Sequence, residues 1–390
     1  MTPAARINAA IDLLDRIQAG ELADRVLAAW GRKNRYAGSK DRAAIGDIVY
    51  DVLRKRQSLA ALGGGETGRA LLLGYVRASG QDPRAVFGAD RYAPSELTAD
   101  EASYDPVAHA SLAESADFPE WLWPDLVRSH GDHALPVARA MRDRAPVHLR
   151  VNLQKRNRDD ALASLADEGI ICEPLGLSPS ALQVIEGARK IRNSGPYLNG
   201  MVELQDASSQ AAADLVPLTQ GQTLLDFCAG AGGKVLAIAA RTTAEFFAHD
   251  VDPRRMKDLS VRAERAGVSV TQLTLDEIEQ DQHQFDTVLI DAPCSGSGSW
   301  RRDPQGKWAL TPDRLGEIVD LQQEILDLAC MLVKPHGHLV YATCSLLDRE
   351  NERQVKEFLA RNTHFSTIDE QQFTPVSDSD GFYCAVLRKD

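Results

Sequence analysis

Apolar residues recur at intervals near 3.6 along Ala4 to Ile17 and again along Leu22 to Trp30, the spacing of one buried face on each of two helices. Ser39-Lys-Asp-Arg42 precedes a third such run, Ala43 to Leu53, and Ser39 has the chemistry of an N-cap. From 86 to 120 the periodicity fades into Asp, Glu, Ser, Ala and Pro, the composition of a linker. Phe118 to Trp123 opens another helical piece, with its two tryptophans read as packing anchors. Pro146 to Val151 predicts a strand, Arg158 to Glu168 a helix and Leu182 to Ile185 a second strand, together a small α+β module. Leu204 to Ala211 then leads into a helix capped by Ser208.

From about residue 221 the pattern becomes regular. Strands are predicted at 223–227, 245–248, 270–273, 287–290, 337–342 and 382–387, and helices at 234–240, 253–266, 313–333 and 350–361. Such alternation implies a mostly parallel sheet covered on both faces. In sheets of that kind, ligands bind just past the carboxyl ends of the strands. The expected divisions are a helical region over 1–85, an acidic linker over 86–120, the small module over 121–200 and the α/β domain over 201–390.

Composition narrows the class without naming a function. Of 390 residues, 44% are hydrophobic and 26% charged, as in globular proteins. No apolar run reaches the roughly 20 residues of a membrane span, and the N-terminus lacks a signal-peptide core, so a cytoplasmic protein is expected. The six cysteines (172, 228, 294, 330, 344 and 384) form no Cys-x-x-Cys pair, which predicts free thiols and no metal site. A net charge of −12 counts against nucleic acid, but it is unevenly spread. Residues 32–56 carry eight Lys/Arg against three Asp, whereas 90–120 carry eight acids against Arg91 alone. The basic stretch is either an RNA-facing surface or a solvated face.

Four predicted strand ends carry chemistry. The first, Asp226-Phe-Cys-Ala-Gly-Ala-Gly-Gly-Lys234, is a glycine turn opening a helix, where backbone can approach a ligand closely. It fits neither a Walker phosphate loop nor the nicotinamide fingerprint. Asp250 lies 24 residues after Asp226, about where a nucleoside-binding sheet places an acid for ribose hydroxyls. Asp252, before Pro253, reads as a helix cap. Asp276 reads either as a contact to an adenine amino group or as a surface residue. Asp291-Ala-Pro-Cys294 and Thr343-Cys344-Ser345 end two further strands, and two thiols facing one nucleoside site point to covalent catalysis. A disulfide is disfavoured in a reducing compartment.

Asp291-Ala-Pro-Cys294-Ser-Gly-Ser-Gly298, Thr343-Cys344-Ser345 and Glu350-Asn-Glu352 resemble the Fmu/Sun-type RNA (cytosine-5)-methyltransferases. Gln205 to Gln210 and Arg301-Arg302-Asp-Pro304 extend the resemblance, which runs from about 145 to the C-terminus. Gly38 to Arg42 and Tyr50 to Arg54 look like the NusB-type RNA-binding domain of some bacterial members.

The resemblance implies a class I S-adenosylmethionine-dependent methyltransferase fold, Rossmann-like, preceded by the α+β module and an all-α NusB-like domain. It implies that Cys344 attacks carbon 6 of cytosine, that Cys294 assists release of the adduct, that Asp291 bonds the base near nitrogen 3, and that Lys234 tunes a thiol or holds the base. Cys228, Ala229, Gly230, Ala231, Gly232, Gly233, Lys234, Asp250, Asp276 and Asp291 then line the S-adenosylmethionine site. Arg301 and Arg302, with Arg32, Lys33 and Arg35 from the basic stretch, become RNA contacts. Ribosomal RNA is the expected substrate. Transfer RNA, or a weakly active RNA-binding assembly factor, are the competing readings, and nothing calls for more than a monomer.

The family's loop usually reads Cys-Ala-Ala-Pro-Gly-Gly-Lys, whereas here Gly230 and Ala231 replace Ala and Pro. A floppier loop, costing on the order of 1 kcal/mol more to order, is expected to weaken cofactor affinity. Val235 and His249 also depart from the pattern.

Overall fold

The computed structural model describes residues 1–106, 111–280 and 284–390. The chain divides into two compact units, one formed by Met1–Arg144 with Trp300–Ala309 and the other by Ala145–Ser299 with Leu310–Asp390.

The first unit is helical. Helices Pro3–Gln18, Ala23–Lys33, Ser39–Arg54, Arg56–Gly63 and Gly68–Ala78 turn Leu13, Leu14, Val26, Ile45, Val49, Leu71 and Leu72 into one core. The first helix is capped by the Thr2 side chain, with Pro3 at its first turn, where a missing N–H costs nothing. Ser39 is not a cap: Gly38 is the cap residue and Ser39 is the first helical residue. The segment expected to be a linker, 86–120, is packed where it is described. Val86 and Phe87 are buried with the helical core, and the buried Asp117 carboxylate accepts the Ser58 amide and hydroxyl, each at 2.8 Å, and pairs with Arg142. Its acidic residues therefore belong to a folded segment, with Asp117 inside it, which composition alone does not distinguish from a tether; 107–110 lie outside the described residues. Phe118 packs against Trp123 and Trp300, so Trp123 is a packing residue.

Residues 300–309 come from the α/β half of the sequence but fold into the helical unit. Arg54 Nε donates to the Arg301 carbonyl at 2.8 Å, Lys307 Nζ to the Arg54 carbonyl at 3.0 Å and Trp308 Nε1 to the Leu53 carbonyl at 2.6 Å. Burial pushes the Lys307 ammonium down to about 7.

The second unit holds two sheets. Strands β1 (Val147–Val151), β2 (Ile171–Pro174), β3 (Ala181–Glu186) and β4 (Val202–Leu204) form an antiparallel sheet of order β2-β3-β1-β4. Strands β5 (Thr223–Asp226), β6 (Glu245–Ala248), β7 (Val270–Gln272), β8 (Phe285–Asp291), β9 (Val333–Thr343), β10 (Phe365–Phe373) and β11 (Phe382–Lys389) form the other, of order β10-β11-β9-β8-β5-β6-β7. β5 to β9 pair in parallel, and β11 and β10 close one side antiparallel. This is the expected class I methyltransferase architecture. β10 escapes the hydrophobic pattern because it is an edge strand exposed along most of its length, so it has no buried face to mark. Between β4 and β5, Asp206 rather than Ser208 caps helix Ala207–Asp214, taking the Ser208 amide and hydroxyl on one oxygen.

Candidate active site

Asp291 ends β8 in register with Ala342 of β9, its parallel neighbour. The chain runs on three residues from one and two from the other, which brings Cys294 Sγ to 3.3 Å from Cys344 Sγ. Further bonds clasp the loops together: the Gly298 amide donates to the Cys344 carbonyl at 2.9 Å and the Leu346 amide to Ser297 Oγ at 2.8 Å. A Cβ at Gly298 would fall 2.1 Å from the Gly381 carbonyl, so this close approach requires glycine.

The two thiols are electrostatically unequal. The hydrogen bond from Cys294 holds the Cys344 thiol below its ordinary value against the opposing effect of burial, and the Lys234 ammonium lowers it further. Cys294 is the proton-bearing partner, pushed well up first by that same bond and then by burial. A thiolate is the reactive form of cysteine, so Cys344 is electrostatically the more reactive thiol of the pair. Lys234 Nζ donates to Ser209 Oγ at 2.8 Å, pairs with Asp291 at 3.2 Å and lies 4.1 Å from the Phe382 ring centroid. Carboxylate, hydroxyl and ring thus fix a nearly buried ammonium beside the thiol pair.

The glycine loop turns at Gly230 (φ +50°) and Gly232 (φ +82°), conformations that side chains disfavour. Neighbouring side chains bond to this loop along its length. Gly230 N donates to Asp250 at 2.9 Å, and the Gly233 carbonyl accepts from Arg150 at 3.1 Å and from Gln205 at 3.0 Å. Arg262 donates to the Ala231 carbonyl. Arg150 is buried in β1, and its guanidinium is pushed down to about 10 by burial, so the small sheet serves as a prop for the loop. Neither Arg150 nor the role of Gln205 was visible in the sequence, since an arginine in a strand reads as an outward-facing residue.

A Cβ at Gly230 would lie 3.6 Å from Arg255 and 4.0 Å from the Asp250 carboxylate, so glycine keeps open the space over that acid. A backbone turn, a buried acid at the end of β6 and a second acid at the end of β8 are the donor and acceptor set that a ribose and an amino-acid tail require. The residues therefore fit S-adenosylmethionine. Burial raises the Cys228 thiol, and Ala229 N donates to the His249 carbonyl at 2.9 Å. His249 stacks on Phe227 with its Nδ1 3.0 Å from the Leu273 carbonyl, and Val235 is buried, so both departures fill structural places. Asp276 is exposed on the short helix Leu275–Gln280.

The expected RNA contacts divide. Arg32, Lys33 and Arg35 are exposed at and just beyond the end of helix Ala23–Lys33. Arg301 is a correction: its side chain is buried, with Nη2 donating to the Arg144 carbonyl, so it holds the fold instead of meeting solvent. Arg302 is exposed and lines a cavity of about 650 Å³ with Arg25, Arg56, Tyr50 and Trp308. Among the described residues no group of three or more His, Cys, Asp or Glu is placed to hold a metal, and no helix is long and apolar enough to cross a membrane.

Comparison with known proteins agrees with this layout. Residues 213–388 match the family model described as 16S rRNA methyltransferase RsmB/F, and 118–191 match the RsmF/B-like ferredoxin-like domain. The chain is 34% identical over 302 residues to ribosomal RNA small subunit methyltransferase B of Vibrio cholerae, covering 74% of this chain and 69% of that protein. It is 34% identical over 286 residues to the protein of the same name from Photorhabdus laumondii, covering 70% and 66%. The chain thus spans about two thirds of the length of these relatives. Among solved structures it is similar in fold to the protein titled PH0851, with a TM-score of 0.80, 24% identity and coverage of 100% and 99%. A methyltransferase homologue from Pyrococcus horikoshii follows at 0.63, 24% identity and coverage of 72% and 98%. With the paired cysteine loops on adjacent parallel strands and these matches along both the catalytic and the ferredoxin-like regions, the chain belongs to the 16S rRNA methyltransferase RsmB/F family.

Proposed function

We propose that this chain is an S-adenosylmethionine-dependent methyltransferase acting on carbon 5 of a cytosine in ribosomal RNA. The observation that carries the reading is the Cys294–Cys344 pair with its unequal thiols beside Lys234 and Asp291.

Carbon 5 of cytosine is a poor nucleophile until a thiolate adds to carbon 6. Cys344 supplies that thiolate, forming a sulfur–carbon bond while the electron pair moves toward carbon 5 and the base edge. Asp291, fixed by Lys234, faces the edge near nitrogen 3 and stabilises the charge that develops there. When bound, S-adenosylmethionine supplies an electrophilic methyl group. Once carbon 5 carries that methyl, its proton passes to water, the electron pair left behind re-forms the 5,6 double bond and breaks the sulfur–carbon bond, and the proton-bearing Cys294, 3.3 Å away, donates its hydrogen bond to the departing Cys344 thiolate. The 228–234 loop and the Asp250 carboxylate would hold the cofactor. The target base is unpaired or flipped out, because a stacked base cannot reach thiols held between two strand ends. The helical unit, read as NusB-like, positions the RNA through Arg32, Lys33 and Arg35.

The test is Cys294→Ala expressed in a bacterial host and examined for RNA covalently attached to the purified protein. An adduct that disappears when Cys344 is also changed to Ala is expected, and sequencing the trapped RNA identifies ribosomal or transfer RNA. No adduct, with no S-adenosylmethionine binding by the wild type, overturns the reading in favour of an RNA-binding assembly factor.

A further inference from the structure

The Glu350 carboxylate is fully buried and accepts four hydrogen bonds: from the Ser295 amide at 2.7 Å, from the hydroxyls of Ser295 and Ser345, and from Gln322 Nε2 at 3.2 Å. Ser295 follows Cys294 and Ser345 follows Cys344, so one carboxylate grips the chain beside both thiols. Gln322, on helix Pro312–Ala329, also donates to the Pro293 carbonyl at 2.9 Å and accepts from Gln354 at 3.3 Å. The Tyr341 hydroxyl donates to the Glu350 carbonyl at 2.7 Å. A buried carboxylate is costly unless hydrogen-bonded, and every partner of this one lies on a cysteine loop or on the helix that braces it.

We propose that Glu350 is a positioning residue which, by holding Ser295 and Ser345 on one carboxylate, sets the 3.3 Å separation of the Cys294 and Cys344 sulfurs. The inference rests on Cys344 and Cys294 being the working pair. The separation matters because the sulfur–sulfur hydrogen bond is the largest influence on both thiols, lowering Cys344 and raising Cys294. Around the pair stand Lys234, which lowers Cys344, and Asp291, which raises it. The Glu350 charge raises both thiols but is a lesser cause at each, and the buried Tyr341 and Cys228 are themselves raised. Loosening the clasp therefore lets Cys344 rise and Cys294 fall, since the lost hydrogen bond outweighs the lost charge at Cys344 and adds to it at Cys294.

The measurement is iodoacetamide labelling of each cysteine across pH, read by peptide mass spectrometry on the full chain, alongside S-adenosylmethionine affinity. In the wild type Cys344 should label at lower pH than Cys294. In Glu350→Gln the side chain keeps its length but must aim an amide donor at partners that themselves donate. The two labelling curves are expected to converge, with cofactor affinity unchanged and methylation slowed by about tenfold or more. If that variant does not fold, Ser295→Ala, which deletes one hydroxyl and keeps the backbone bond, should give a smaller convergence of the same sign. Unmoved curves in the folded variants overturn the proposal, as does a loss of cofactor affinity together with the split, which marks a general collapse of the site. The labelling curves and the cofactor affinity need no RNA, so a wild type that fails to methylate RNA would sink the proposed function and leave those two readouts in force.

Discussion

Arg255 holds its guanidinium 3.1 Å from the Asp250 carboxylate, the acid at the end of β6 assigned to the cofactor ribose. The same carboxylate accepts the Gly230 and Asp252 amides, at 2.9 and 3.0 Å, so its orientation is fixed while one cation covers it. Ribose hydroxyls must share or displace that cation. An ion pair with a half-exposed arginine is worth about 0–1 kcal/mol, so Arg255→Ala should tighten S-adenosylmethionine binding by up to about fivefold in calorimetry. Asp250→Ala should weaken it instead; weaker binding in Arg255→Ala would mean that the guanidinium itself contacts the cofactor.

Lys234→Met tests the tuning of the nucleophile separately from its placement. Removing the ammonium deletes a charge that lowers the Cys344 thiol and leaves Asp291, which raises it. Alkylation of Cys344 at pH 7 should slow by about tenfold, with the partly exposed Cys172 labelling as an internal reference. An unchanged rate would remove Lys234 from the tuning of this thiol.

Asp226 ends β5 fully buried, and burial, with the Asp291 charge second, pushes its carboxyl up to about 7. The native protein therefore keeps a proton there that the unfolded chain releases above about pH 4. The stability this contributes is fully present below about pH 4 and is lost as pH rises toward 7. Asp226→Asn, neutral at every pH, should reduce the fall in urea-denaturation stability between pH 5 and pH 8 by on the order of 2 kcal/mol. Parallel curves for variant and wild type would show that Asp226 titrates normally.

Reversing Arg32, Lys33 and Arg35 to Glu tests the exposed basic end of helix Ala23–Lys33. If these three groups neutralise RNA phosphates, affinity should drop and the log–log salt slope should shallow by about 2 to 3. An unchanged slope would mark them as a solvated face.

Several features of the protein were written locally. The 3.6-residue spacing of the first helices, the alternation of short apolar strands with helices, the glycines around 230 and the Pro-Cys and Thr-Cys-Ser strand ends each depend on near neighbours in the chain, so a sequence can display them. The edge strand β10 was hidden because it buries no face, and 86–120 was misread because acidic surface and acidic linker share a composition.

Only tertiary structure decided how those pieces work together. The parallel pairing of β8 with β9 converts two cysteines 50 residues apart into a 3.3 Å pair, and Glu350 joins their loops through serines that no spacing rule connects to it. The hold on the glycine loop comes from Arg150 and Gln205, far upstream, and the same kind of long-range packing buries Arg301, where the sequence read an exposed cation. Residue type and local spacing determined the available chemistry. Which groups are buried, which are paired and which thiol keeps its proton depended on contacts between distant segments, because burial and electrostatics are properties of the neighbours that folding supplies.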